Sequence, residues 1–143
     1  MKPLLALLCL VVAACVTADM PPSQAVSQLA PNGNLRAALA PDDPVSRDVA
    51  RELARRLRVR VAETTFDAPF DVAFIGPEEA RAAQLDFTTP YMILDGTPRV
   101  IALGRGKPEA SEYLRGFVDE LQAGGFVAAA IDRRGAKNRA SAP

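Results

Sequence analysis

Any chemistry in this chain has to be built without histidine, since none of its 143 residues is one. That removes the commonest acid–base group near neutral pH and the commonest metal ligand. A Ser-His-Asp nucleophile is impossible, and zinc would have to be held without imidazole. The only thiols, Cys9 and Cys15, lie near the N-terminus, so the rest of the chain can form no disulfide of its own. No catalytic residue, metal site or cofactor is expected. Asp67, Asp71 and Asp86 have no nucleophile–base arrangement around them and read as solvated or capping carboxylates. Residues 104–107 fall short of a phosphate-binding loop, because the full glycine spacing and a Ser or Thr after Lys107 are missing.

Cys15 sits in the one reactive pattern. Lys2 gives a positive start, and residues 4–12 are apolar throughout, as in the hydrophobic part of a secretion signal. The run is too short to span a bilayer, which takes about 20 apolar residues. Small residues then lead into the thiol, Val12-Ala13-Ala14-Cys15. Such residues fit a narrow peptidase pocket, and the thiol can accept a lipid, so the segment looks like a lipobox. The alternative is plain secretion, with a cut after 16–18. The expectation is a signal peptide over 1–14, a lipidated Cys15 and a flexible tether over 15–33, rich in Pro, Ser, Gln and Asn. That places the protein in the periplasm, held to a membrane by a lipid anchor.

The elements that would position a site follow. The length suits one domain, since domains run to about 100–150 residues. It leaves room for one core and not for two lobes with a cleft between them. Seventeen basic and seventeen acidic residues balance, so no nucleic-acid footprint is expected. Residues 34–40 alternate like a short strand, and the two prolines of 41–44 stop regular structure. Residues 45–57 predict an amphipathic helix, with Val45, Val49, Leu53 and Leu57 on one face and Ser46 as N-cap. Arg51, Arg55, Arg56 and Arg58 read as its solvated face. Residues 59–66 and 71–75 read as strands, the second a continuous apolar run suited to a sheet centre. Pro77 opens a helix to about Gln84. Strands are expected at 91–94 and 99–103 around an Asp95-Gly96 turn. Pro108 opens a helix with Tyr113, Leu114, Phe117, Val118 and Leu121 as its stripe, ended by Gly124-Gly125. A short helix over 126–134 is expected to close at Gly135, and 136–143 to be a disordered tail. The mixture argues α/β.

Three stretches then suggest a family. Residues 48–57 read Asp-Val-Ala-Arg-Glu-Leu-Ala-Arg-Arg-Leu. Asp71-Val72-Ala73-Phe74-Ile75-Gly76 is followed by Ala80 to Gln84 and by Leu85-Asp86-Phe87-Thr88-Thr89-Pro90-Tyr91. Residues 113–121 continue to Gly125-Phe126-Val127. Together these resemble bacterial extracellular solute-binding proteins of family 3, the receptors that deliver polar amino acids to ABC importers. The resemblance covers most of 34–134. It implies that Arg81 holds a ligand carboxylate with its planar fork of donors, and that backbone near Gly76 and Pro77 faces the ligand. On spacing alone, an ion pair of Arg81 with Glu78 at i,i+3 is the better explanation of the arginine, and the resemblance brings the two readings level.

The resemblance also implies what is missing. Arg99-Val100 looks like a hinge strand leaving the first lobe and Ile101-Ala102-Leu103 like the one returning, with no second lobe between. The expected fold is therefore α/β: one reduced lobe of a periplasmic-binding-protein-like fold, over 34–135, with a small mixed sheet flanked by helices. The helix between 59–66 and 71–75 is missing too, and the loop before residue 45 is too short for a stacking aromatic. A parallel pair of neighbours needs a crossover of a dozen or more residues, so these two segments are expected to form an antiparallel hairpin, or one of them not to be a strand. The lost helices are expected to leave apolar sheet faces exposed, favouring self-association. The implied function is the substrate-binding component of an ABC importer for a small carboxylated solute, with an ABC permease as partner and no enzymatic activity. The alternative is a lipid-anchored interaction module or a degenerate remnant without ligand binding.

Overall fold

The computed structural model describes residues 20–141. The expected signal peptide, Cys9 and Cys15 lie outside them. The elements run α1 (Ser23–Leu29), β1 (Asn34–Ala38), α2 (Pro44–Leu57), β2 (Arg60–Thr64), β3 (Val72–Ile75), α3 (Pro77–Ala82), β4 (Asp86–Phe87), β5 (Tyr91–Met92), β6 (Pro98–Leu103), α4 (Pro108–Ala123) and α5 (Phe126–Ser141). They make an α/β fold, a mixed open sheet flanked by helices. The strand order is β2-β1-β3-β6-β4, with β5 paired to the first residues of β6. β2 and β3 run parallel to β1, one on each side, and β6 is antiparallel to β3, β4 and β5.

The sheet buries both faces, as the apolar run of β3 requires: all four of its residues are buried. On one face Leu35, Phe74, Ile101 and Leu103 pack against the apolar stripes of α2 and α4 and against Val127 and Ala130 of α5. On the other, Ala38, Ala73 and Ala102 present little more than methyl groups, so the six-residue α3 approaches closely and buries Ala80 there. Phe70, Leu85 and Phe87 cover the remainder. The expectation of exposed sheet faces is therefore corrected. Met20, Phe66 and Met92 are exposed large apolar side chains among the described residues, on three different segments, and isolated exposures of this kind are ordinary.

The expected antiparallel hairpin of β2 and β3 is also corrected. Both are strands, both point the same way, and β1 lies between them. The register shows how so short a connection manages this. Thr64, the last residue of β2, is level with Ala38, while Val72, the first of β3, is level with Ala37. β3 thus begins at the height where β2 ends. Residues 65–71 step sideways over β1 and need not return along its length, so no crossover helix is required. Asp71 fixes the landing point. Its backbone N–H donates to the Arg36 carbonyl at 2.9 Å, and its buried carboxylate accepts from the Arg36 backbone N–H and guanidinium at 2.9 and 3.0 Å.

Several boundaries move. α2 is capped by Asp43 rather than Ser46: the Asp43 carboxylate accepts the Ser46 N–H at 3.0 Å, and Pro44 fills the first turn. The two expected hinge segments are one continuous strand, β6. The chain reverses instead at 93–97, where Gly96 takes a positive φ of 78° and Thr97 N–H donates to Asp95. α5 continues through Gly135 to Ser141, so the helix does not stop there and most of the expected tail is helical.

The expected tether contains α1, whose Ala25 and Leu29 are fully buried. Lys107, at the N-cap of α4, has no capping oxygen. Gln28 supplies one from α1: its Oε1 accepts the Ala110 N–H at 2.9 Å, and its Nε2 donates to Glu109 at 2.6 Å. A borrowed cap and two buried side chains make α1 part of the fold. Leu29→Ala is expected to cost about 2–4 kcal/mol in urea unfolding. A change under about 0.5 kcal/mol, the usual size for exposed positions, would restore the tether.

Candidate functional site

The loop from β1 into α2 and the turn between β5 and β6 meet above the C-terminal end of β1. They enclose a concavity of about 120 Å³ lined by Asp42, Asp43, Pro44, Ile93, Leu94, Asp95 and Arg99. Open α/β sheets bind ligands outside the carboxyl ends of their strands, where successive connections diverge to either side. β1 is such a place here, with β2 on one side and β3 on the other.

Asp43 is the pivot of the floor. It is 1 % exposed. One carboxylate oxygen caps α2, and the other accepts Arg99 Nε at 3.3 Å. Behind it, the buried Ser46 hydroxyl meets the Tyr91 hydroxyl at 2.6 Å. Burial raises the Tyr91 phenol well above its ordinary value, and the neighbouring Asp43 charge adds to the effect. No buried side-chain polar atom among the described residues lacks a partner.

Arg99 retains donors for a ligand. A guanidinium has five N–H groups; besides Nε, only Nη1 is engaged, weakly, with the Pro98 carbonyl at 3.4 Å. Asp42 and Asp95 are exposed at the rim. Hydrogen bonds from Thr97, followed by the Arg99 charge, hold the Asp95 carboxyl below its usual range. The arrangement is a partly buried guanidinium, paired below with Asp43, and two exposed carboxylates at the rim. It can take a small solute that carries both signs of charge.

Arg81, Gly76 and Pro77 lie elsewhere. Gly76 precedes α3 and Pro77 opens it, with Glu78 and Glu79 in its first turn. Those acids disfavour an anion at that helix end. Arg81 pairs with Glu78, stacks over the Phe87 ring at 5.6 Å and is 58 % exposed. It shares the Ala80 side of the sheet. Arg99 instead follows the alternation of Ile101 and Leu103 toward the α2 side. The structure thus keeps the two arginines apart, on opposite faces, and Arg81 lines neither this concavity nor the larger one at the far end of α2.

Sequence reasoning missed Asp43 and Arg99 as a pair. Pro44 was a usable signal for Asp43, because a proline in the first helical turn places the cap just before it. The 56 residues separating the two partners gave no local signal. No group of His, Cys, Asp and Glu among the described residues could hold a metal ion. Neither family models, curated proteins nor solved structures give a match to this chain.

Two outcomes check this geometry. Arg81→Ala should change stability by less than about 1 kcal/mol, as for other exposed ion pairs. A phenol whose folded pKa is raised favours the native state fully below the ordinary value, and this contribution falls as pH rises above about 10. Alkaline unfolding of the wild type should therefore carry a component that Tyr91→Phe removes. Parallel stability–pH curves for the two proteins above pH 10 would contradict the buried phenol.

Proposed function

We propose that this chain is the substrate-binding component of an ABC importer, reduced to one lobe, that takes small amino-acid-like carboxylated solutes. In this reading a lipid on Cys15 holds it in the periplasm, and an ABC permease is its partner. One observation carries the proposal: the Arg99 fork below Asp42 and Asp95 at the C-terminal end of β1. A solute carboxylate would meet the guanidinium bidentately, and its ammonium would meet the rim carboxylates. The resemblance to family 3 gave the carboxylate to Arg81; the geometry favours Arg99, because both arginines are ion-paired but Arg99 lines this concavity with Nη2 unengaged among the described residues, whereas Arg81 lines neither of the two concavities.

The same geometry limits affinity. Ligand sites are usually about 300–1,000 Å³ and bury most of the ligand. A concavity of about 120 Å³ is one wall of such a site, with the second lobe missing. Charge pairs left open to water contribute about 0–1 kcal/mol each. Binding by the isolated chain should therefore be closer to millimolar than micromolar.

Calorimetric titration with a panel of polar amino acids tests this. Wild type and Arg81→Ala should bind the same solute alike, while Asp42→Asn with Asp95→Asn should weaken it about tenfold or more. Loss of binding in Arg81→Ala alone would return the site to α3. Absence of heat for every solute at millimolar concentration would overturn the receptor reading for this chain by itself, and a dimer in the same sample would favour the interaction module.

A further inference from the structure

The larger concavity, of about 560 Å³, lies at the other end of α2. Arg55, Arg56 and Arg58 line it with Tyr113, Met20, Pro21 and one carboxylate, Glu120. We propose that this concavity is a membrane-facing surface that seats the phosphate of an anionic phospholipid head group. The proposal rests on the lipid-anchor part of the reading above and goes beyond its solute site.

The arginines are only partly neutralised. Arg55 and Arg56 share Glu52, at 2.6 and 3.1 Å, and Arg56 also reaches Glu120 at 2.7 Å. Arg58 forms no ion pair among the described residues. It holds the left-handed cap of α2, at φ 58°, a place that glycine usually takes because a side chain is strained there. Its backbone N–H is satisfied by the Ala54 and Arg55 carbonyls, which leaves the exposed guanidinium for another partner. The half-buried Tyr113 contributes a hydroxyl to the same lining. Guanidinium forks and a hydroxyl donor are suited to phosphate oxygens. Against Glu52 and Glu120 the three guanidiniums leave one net positive charge here, carried by Arg58, which offsets the weak repulsion of an anion by the helix dipole.

Reach provides the second argument. Four residues lie between Cys15 and Met20, and the five steps that join them span at most about 18 Å however they are arranged. Met20 edges the concavity and is 63 % exposed. An acyl chain on Cys15 would therefore keep Met20, and the concavity it lines, within about 18 Å of the lipid surface. The field of anionic lipids falls off within a Debye length, about 8–10 Å.

The test uses the mature chain without its lipid, carrying Cys15→Ser, so that only the protein surface is read. It should co-sediment with vesicles of phosphatidylcholine containing phosphatidylglycerol and not with phosphatidylcholine alone, and the binding should weaken as salt rises. Arg58→Ala should reduce it about fivefold, and Arg58→Lys should restore most of it. Equal binding to both vesicle types, or binding unchanged in Arg58→Ala, overturns the proposal. So does competition by millimolar inorganic phosphate, which would mark a free-anion site. Mass spectrometry of the native N-terminus reads the anchor separately, and an N-terminus beginning beyond Cys15 removes the reason for a membrane. None of these outcomes depends on whether solutes bind near Arg99.

Discussion

A single buried carboxylate, Asp43, ties the beginning of α2 to β6, the strand that pairs with β3, β4 and β5. It satisfies the first turn of the helix, neutralises Arg99 from β6, and stands beside the Ser46–Tyr91 hydroxyl pair. Removing one partner from such a group leaves a charge in the interior, which costs far more than the pair itself contributes. The arrangement is therefore all-or-none. With it, the loop after β1, the hairpin turn and the helix end share one rigid edge. Without it, Arg99 has no reason to point at that edge, and the rim carboxylates have nothing to complement.

The periodic parts of the fold were legible because they are local. The stripe Val45, Val49, Leu53 and Leu57 gives α2, Leu114, Phe117, Val118 and Leu121 give α4, and all eight are buried. The Asp95-Gly96 turn and the buried run of β3 were equally plain. What escaped was set by contacts between distant residues. α1 has two fully buried side chains and depends on Gln28 reaching α4, so its own segment reads as a polar tether. The placement of β3 beside β1 follows from a stagger that no spacing rule encodes. Alternation in β6 decides that Arg99 faces α2, and only the assembled sheet shows that Asp43 waits there. Arg81 was the easier case: the i,i+3 partner visible in sequence is the one it keeps.

The connection between β2 and β3 illustrates how a sheet can keep two strands running the same way without a crossover helix. A full crossover is needed only when the second strand must start again at the level where the first began. Here β3 starts where β2 stops, so the connection has only to move sideways. The cost is that β2 pairs with β1 alone and remains an edge. Its exposed charged residues, Arg60 and Glu63, are the kind that discourage edge-to-edge pairing. The far face stays dry because residues 65–71 and the short α3 roof it. An apolar face closed by the chain itself gives a partner little to bury, which is why the interaction-module reading loses its main support.

The two concavities lie at opposite ends of one helix. α2 has 14 residues, which sets its ends about 20 Å apart at 1.5 Å per residue. If the arginine end rests on lipid, the Arg99 edge opens away from the membrane, toward the solution where a solute would be met. On the importer reading proposed above, a permease embedded in that membrane would then face the other end of the fold. Delivery would require the arginines to leave the surface and the lobe to turn about its short N-terminal connection. Each arginine near anionic lipid is worth about 1 kcal/mol, and Glu52 and Glu120 offset part of that here, so such a contact would bias the orientation of the fold and still be weak enough to break.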